Sequence, residues 1–496
     1  MLDMSSVITL SSLLKDIVDV PKGADISVSA MTLDSREVAE GTLFVALKGL
    51  QQHGLAYAEV AQKQGAVAII WEADDSVLPA ELSIPVIKIA GLRGQLGLIA
   101  DRFYGAPSQS LKMVGITGTD GKTSISHFMA QAIDNCAVIG TIGVGRLDDL
   151  QKATHTTPDI LSVHKYLSEM KAQGVATVAM EVSSHALDQG RVDNVAFDVA
   201  VLSNLSRDHL DYHKTVEAYA EAKEKLFSWP DLKMLVLNFD DDFGLTIAQD
   251  KNIKKGGCVL PYGIGSTQDY PQGSLVAENV VLSSQGISAD ISYGDEKGQL
   301  AVSVLGSFNL SNLLATLGAM IGLGWSFTDA LQKVNRVKTV EGRMEKVSDA
   351  DVLTVVDFAH TPNALETVLK ALREHTRNKL ICVFGCGGDR DTGKRPLMAA
   401  ITEQYADVVI VTDDNPRTEN PEVIMQGILA GFKQPQEVTV EHDRARAISM
   451  ALHQAKTGDA VLITGKGHEN VQILAKGTVP FSDKKVANKV LQELAA

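Results

Sequence analysis

Cysteine is scarce in this chain, with four in 496 residues: Cys136, Cys258, Cys382 and Cys386. No two of them form a CxxC pair, which argues against a metal or redox centre built on thiols. Buried free thiols in a reducing cytoplasm are expected instead. Long apolar runs are also missing. No stretch of about 18 consecutive apolar residues occurs, so no membrane span is expected. The first residues carry neither a basic cluster nor a long apolar run, and no signal peptide is expected. Basic charge is in deficit, with a formal net charge of −15. That balance argues against a nucleic-acid or membrane-surface partner and reads as an aid to solubility. There is no internal repeat and no low-complexity tract.

What is present is an ordinary globular composition, 45% hydrophobic and 22% charged. The length exceeds one ordinary core and implies two to four domains. Three blocks are legible. Residues 1–108 hold short apolar runs at 43–47 and 67–70 around a helical stretch near 57–64, and residues 104–108 read as a linker. The second block, 109–340, opens on a buried-strand pattern at 111–116. A Gly-rich loop follows, then a helix with Ile125, Phe128, Met129, Ala132 and Ile133 on one face. Further strands are expected at 175–180 and 197–202, and the alternation over 270–305 suggests an antiparallel excursion. The third block, 341–496, alternates strand-like runs at 352–356, 380–384, 408–411 and 460–463 with helical patterns. Strand–helix alternation of this kind predicts an α/β fold with parallel sheets covered by helices.

Chemistry concentrates in the second block. Gly118, Thr119, Asp120, Gly121, Lys122, Thr123 and Ser124 lie between a strand and a helix. Glycines let backbone N–H groups close around phosphate oxygens, and the helix start adds favourable potential. Lys122 can reach the β- and γ-phosphates and Thr123 can reach Mg²⁺. The strict GxxxxGK[ST] pattern is not met, because Ile116 holds the first position, so the loop is a variant phosphate loop. Two further clusters follow strand-like runs, at residues 181–185 and 206–213. Each reads either as a carboxylate and imidazole site for the Mg²⁺ carried by ATP or as a hydrogen-bonded loop.

The ordered set TGTDGKTS, HTTPD, MEVSSHALDQGRV, NLSRDHLDYH, FNLSN, GRME, DFAHTP, GCGGDRD, GKRP, TDDNPR and GKGHE resembles the Mur ligases. Within them it is similar to the branch that makes the UDP-linked muramoyl tripeptide. The match runs from about residue 30 to the end of the sequence. The resemblance implies three α/β domains: an N-terminal domain for the UDP moiety, a central P-loop ATPase domain with a mostly parallel sheet, and a C-terminal Rossmann-like domain. Leu33 and Ser35, in TLDSR, resemble the uridine site, and residues 50–52 stand at the matching loop. Residues 118–124 would bind ATP, together with Asn309, Arg343 and Asp357; His360 would share their surface. Asp120 departs from the family, which has Asn there. Thr156, Thr157, Ser183, Gln189 and Arg191 resemble the residues that hold the UDP-MurNAc-dipeptide. Thr123, Glu181, His209 and Lys223 would serve the metal. Lys223 matches the lysine that the family carbamylates to N6-carboxylysine. Arg390, Asp414, Asn415, Pro416, Arg417, Gly465 and Glu469 resemble the site for the incoming amino acid. The DNPR motif goes with meso-diaminopimelate. A guanidinium at Arg417 can grip a distal carboxylate that lysine lacks, while Glu469 faces the distal ammonium.

The implied reaction is ATP-dependent amide formation through an acyl phosphate, with Lys122, His209 and Lys223 in the catalytic machinery. The acceptor would be UDP-MurNAc-L-Ala-D-Glu, and Mg²⁺ would accompany ATP. Three substrates on three domains imply closure around a water-sensitive intermediate. A cytoplasmic monomer is expected. The alternatives are the same ligase using L-lysine, a folylpolyglutamate synthetase, a P-loop kinase or nucleotide switch, and a noncatalytic nucleotide-binding protein.

Overall fold

In the computed structural model the described residues are 8–49, 52–73, 82–153, 155–250, 253, 257–348 and 351–495. Leu50 and Gln51 of the expected uridine loop lie outside them. The chain divides into two compact units: residues 1–237 with 241–259, and residues 238–240 with 260–496.

The first unit holds two sheets of parallel strands. In one, Ala30–Thr32, Thr42–Ala46, Ala66–Glu72 and Val86–Ile89 pair in that order, all parallel. Its central strands, Thr42–Ala46 and Ala66–Glu72, are buried on both faces. Leu43, Val45, Ala68 and Ile70 join one core with helix Leu92–Phe103, and Phe44, Ala46, Ile69 and Trp71 join another. In the other sheet, Lys112–Thr117 lies between Thr177–Glu181 and Val199–Leu202. Cys136–Ile139 and Met234–Asn238 extend it, parallel again. The amphipathic pattern after the Gly-rich loop becomes helix Lys122–Ala132, with Ile125, Phe128, Met129 and Ala132 buried.

Residues 104–108 are not a free tether. Pro107 and Ser108 are buried in a short 3-10 turn, and Ser108 Oγ accepts a hydrogen bond from the Ala196 N–H at 3.1 Å. A Pro-Ser pair signals a break in regular structure, but whether the break is solvated depends on what packs over it.

In the second unit the alternation over 270–305 is an antiparallel set, Leu275–Ser283, Gly286–Tyr293 and Glu296–Val302. Beyond it, six strands pair in the order Glu345–Ser348, Leu353–Asp357, Ala460–Thr464, Leu380–Phe384, Val408–Val411, Thr439–Val440. The last five are parallel. Successive side chains go to opposite faces. Leu380, Cys382 and Phe384 pack under helices Pro362–Arg373, Lys394–Tyr405 and Pro421–Leu429. Ile381 and Val383 pack under helices Arg444–Gln454 and Asp483–Ala495. This is a doubly wound α/β layer, and continuous apolar runs are what its strands require.

Three cysteines are buried, and burial pushes the thiols of Cys136 and Cys386 up to about 12. Cys258 is exposed, against expectation, because its strand begins there at the rim. Among the described residues no helix is long and apolar enough to cross a membrane.

The last helix is fastened by a buried ion pair. Arg444 donates to both carboxylate oxygens of Asp483 at 2.7 and 2.8 Å, with both side chains fully buried. Removing one partner of such a pair strands the other charge. Asp483→Asn is expected to destabilise this unit by about 3–5 kcal/mol. A lower chemical-denaturation midpoint checks it, and an unchanged midpoint contradicts it.

Candidate active site

In the first unit three of the expected functional clusters lie at the carboxyl ends of parallel strands. The phosphate loop follows Lys112–Thr117, Glu181 ends Thr177–Glu181, and residues 203–213 follow Val199–Leu202. Gly118 and Gly121 have φ of 145° and 85°, backbone that L side chains rarely adopt. Helix Lys122–Ala132 starts at Gly121 with no side-chain cap, which leaves its first N–H groups for an anion. Lys122 Nζ folds onto the loop and donates to the carbonyls of Gly118 and Thr119 at 2.7 and 2.8 Å.

Asp120 is exposed while its backbone is clamped. Its N–H donates to Asn204 Oδ1 at 3.0 Å, and its carbonyl accepts from Ser203 Oγ at 2.5 Å. The cradle therefore depends on backbone at this position. Ser203 and Asn204 are the residues that sequence reasoning missed there, although Asn204 opens the NLSRDH motif.

Glu181 is fully buried. Burial raises its pKa, opposed by the charge of Lys122 and by hydrogen bonds from Thr141 and Thr123. The Thr123 hydroxyl donates to Oε2 at 3.0 Å, and Thr141 donates from its N–H to Oε1 and from its hydroxyl to Oε2, both at 3.0 Å. Thr141 was not anticipated; it also meets Thr156 Oγ1 at 3.1 Å. Lys223 is 1% exposed. Its Nζ donates to the Gly118 carbonyl at 2.8 Å and lies 4.4 Å from the centre of the Tyr219 ring. Burial first, then the charge of Lys122, brings its pKa well below the ordinary lysine value. The amine is thereby biased toward its neutral, nucleophilic form.

His209 is exposed, has a φ of 52°, and packs edge-on against His185 at 4.8 Å. Among the described residues no three His, Cys, Asp or Glu side chains gather as a ligand set.

Thr157 is buried and structural in its contacts. Its hydroxyl donates to the Glu181 carbonyl at 2.8 Å and accepts from the Ser183 N–H at 3.1 Å. Ser183 caps helix Ser184–Asp188. Arg191 donates to neutral oxygens, Gln189 Oε1 at 2.9 and 2.6 Å and the Thr157 carbonyl at 3.0 Å. Among the described residues no carboxylate is hydrogen-bonded to this half-buried guanidinium, although the charge of Asp159 acts on it, and such a group suits an anionic ligand. Leu33 packs on the core of the first sheet, and Ser35 opens a short 3-10 turn capped by Asp34.

The second unit carries the other residues. Asn309 is buried in helix Ser307–Gly322, where its amide donates to the Leu305 carbonyl at 2.7 Å and accepts from Asn312 at 3.0 Å. Asp357 is buried, which raises its pKa, and it accepts from the N–H groups of Met344 and Ala359, both at 2.6 Å. Arg343 lies over Phe358, 5.4 Å from the ring centre, and among the described residues its buried Nε has no hydrogen-bond partner. His360 meets the same ring edge-on, with ring centres 4.7 Å apart.

Three loops meet at the carboxyl ends of Leu380–Phe384, Val408–Val411 and Ala460–Thr464. Arg417, at φ 54°, donates from Nη1 to the carbonyls of Gly388 at 2.9 Å and Asn415 at 3.3 Å. Arg390 is exposed beside it on the first loop, donating to the Asp389 carbonyl at 3.3 Å. Asn415 donates to Glu469 Oε2 at 2.9 Å. Asp414 is buried, which raises its pKa against the pull of Arg444 and Lys466. Pro416 is buried too. Gly465 has φ 117°, and a Cβ there would lie 2.5 Å from Asp414 Oδ2. Two stitches were invisible in the sequence. Arg395 is paired with Glu419 at 2.8 and 2.7 Å, and strand Val471–Leu474 is bonded to the second loop through Ile473.

Residues 27–104 match the description "Mur ligase family, catalytic domain", 116–320 match "Mur ligase middle domain", and 342–467 match "Mur ligase, glutamate ligase domain". The chain belongs to the Mur ligase family. A relative from Ectopseudomonas mendocina is 45% identical over 94% of this chain and 95% of its own. Another, from Xanthomonas campestris pv. campestris, is 45% identical over 98% of each. Both are named UDP-N-acetylmuramoyl-L-alanyl-D-glutamate–2,6-diaminopimelate ligase. A solved structure of that name has a TM-score of 0.75 at 35% identity, covering 99% of this chain and 100% of its own. The Mur ligase fold extends to MurF from Thermotoga maritima, solved with ADP, at TM-score 0.59 and 21% identity over 94% and 96%.

At Gly118 a Cβ would run into Ser203 Oγ. Gly118→Ala is expected to weaken ADP binding at least about tenfold, or roughly 1.4 kcal/mol. Calorimetric titration checks this, with circular dichroism to show that the fold persists; undiminished affinity contradicts it.

Proposed function

We propose that this Mur ligase joins meso-2,6-diaminopimelate to UDP-N-acetylmuramoyl-L-alanyl-D-glutamate at the expense of ATP, supplying a peptidoglycan precursor as a cytoplasmic monomer. The observation that carries the reading is the 45% identity along nearly the whole chain to relatives bearing that ligase name. The three-part division 1–108, 109–340 and 341–496 is proposed with it, for UDP, ATP and amino acid in turn.

Residues 118–124 hold the phosphates, with Lys122 leaving the loop carbonyls to meet them. Asn309, Arg343 and Asp357 serve the nucleotide. Leu33, Ser35, Thr156, Thr157, Ser183, Gln189 and Arg191 hold the acceptor, whose D-glutamate γ-carboxylate attacks the γ-phosphate, breaking its bond to the β-phosphate oxygen so that ADP leaves and the acyl phosphate forms. Lys122 stabilises the developing charge by position and electrostatics. The oxygen donors of Thr123 and Glu181, 3.0 Å apart, with Lys223 as its carbamate, would suit Mg²⁺, a hard cation that favours oxygen ligands; His209 joins them on the family resemblance alone. When bound, Mg²⁺ neutralises charge on the transferring phosphoryl group. Arg390, Asn415, Arg417 and Glu469 orient the amino acid, with Asp414, Pro416 and Gly465 shaping the loops. Its free amine attacks the acyl phosphate, the amide forms and phosphate leaves; His209 is one candidate for the base that takes the proton the amine loses.

ADP release with UDP-MurNAc-L-Ala-D-Glu tests the reaction. Turnover is expected to require an added amino acid and to be faster with meso-diaminopimelate than with L-lysine. ADP formation that ignores the amino acid would falsify the ligase reading; faster turnover with lysine would remove only the diaminopimelate assignment. The lowered pKa of Lys223 supports carbamylation, because the neutral amine is the form that adds CO₂. Mass spectrometry under native, bicarbonate-containing conditions is expected to find the chain one CO₂ heavier, and Lys223→Ala is expected to abolish that species. Its persistence in the variant would assign the adduct elsewhere.

A further inference from the structure

Lys466 belongs to the GKGHE motif but to none of the roles assigned so far. Its side chain is fully buried. Its Nζ donates to Asn415 Oδ1 and to Glu469 Oε2, each at 2.9 Å, and Asp414 Oδ1 stands 4.0 Å away. Asn415 Oδ1 also accepts from the Ile473 N–H at 2.9 Å. With its oxygen held by two donors, the Asn415 amide can turn only its Nδ2 toward Glu469, and it donates to Oε2 at 2.9 Å. One carboxylate oxygen of Glu469 is thus held twice. Among the described residues no donor is bonded to the other.

Charge explains why an ammonium sits there. Burial works to raise the pKa of Glu469, but the hydrogen bonds and charge of Lys466, together with Asn415, outweigh it and the carboxyl lies below its ordinary value. Asp414 acts on Glu469 as a like charge, and Arg444 faces Asp414 while paired with Asp483. Removing the Lys466 ammonium leaves Glu469 half-buried beside Asp414 with one neutral donor.

We propose that Lys466 is a positioning residue for amino-acid specificity: by holding Asn415 and Oε2 of Glu469, it presents the remaining carboxylate oxygen, ionised, to the distal ammonium of the incoming diamino acid. This rests on the diaminopimelate reading above.

The test compares full-length wild type, Lys466→Met, Glu469→Gln and the double variant by ADP release. The substrates are meso-diaminopimelate and α-aminopimelate, which has the same chain without the distal ammonium. Lys466→Met is expected to raise KM for meso-diaminopimelate roughly tenfold or more, the size of a lost charged hydrogen bond. KM for ATP and for the acceptor stays unchanged. Preference for meso-diaminopimelate over α-aminopimelate falls to that of Glu469→Gln, and the double variant is no worse than Glu469→Gln. In Lys466→Met, KM for meso-diaminopimelate also falls as pH rises, because Glu469 then ionises only at higher pH. Should Lys466→Met not fold, Lys466→Gln keeps a donor, loses the charge and carries the same comparison. Equal losses with both amino acids and an unaltered pH profile overturn the proposal and leave a structural lysine. A wild type that releases ADP with no amino acid added, or prefers lysine, overturns the parent reading and this one with it.

Discussion

A parallel strand buried on both faces has room for polar chemistry only at its ends. The rest of this structure follows from that constraint. Strands Lys112–Thr117 and Leu380–Phe384 are almost wholly apolar and buried along their length. Charged and hydrogen-bonding residues are therefore displaced into the loops beyond the carboxyl ends, where helices begin and backbone N–H groups lack partners. Phosphate loop, Glu181 and residues 203–213 collect at one such edge. Arg390, residues 414–417 and residues 465–469 collect at another.

Collecting charge at an edge that is itself half-covered carries a desolvation cost, and the two units meet it differently. In the first, Glu181 and Lys223 remain under strain, the one pushed up and the other down. Burial disfavours the charged form of each, so a neighbouring cation would favour the carboxylate while the amine is biased toward its neutral form. In the second, opposite charges alternate from Asp483 through Arg444, Asp414 and Lys466 to Glu469. That chain sets three acids against two bases, and among the described residues no donor is bonded to Oε1 of Glu469. The first arrangement suits a site that binds and releases a charged nucleotide, the second a site that reads the shape of a zwitterion.

Much of this was legible from the chain alone. The strands at 380–384 and 408–411 coincide with the observed elements, because a continuous apolar run bounded by Gly or Asp has few other homes. The antiparallel excursion also showed in its period of two. The linker at 104–108 misled, since Pro and Ser mark a turn but carry no information about burial. Cys258 misled for the same reason. Thr141, Ser203, Lys466 and the Arg395–Glu419 pair were missed because their partners lie far along the chain. Thr141 and Glu181 are separated by 40 residues, and Lys466 and Asn415 by 51.

Although the amino-acid site was legible only through the family resemblance, the sequence by itself marked where phosphate could be handled, because glycine spacing, helix starts and strand ends are local properties. It also carried the family, because many short motifs in one order are unlikely to arise otherwise. Only the tertiary structure decided which charges are live. Burial and facing partners set which way the pKa of Lys223 moves, whether Asp120 meets its neighbours through side chain or backbone, and which oxygen of Glu469 Lys466 and Asn415 hold. Those depend on solvent exclusion and on contacts between distant residues, and neither is written at any single position of the chain.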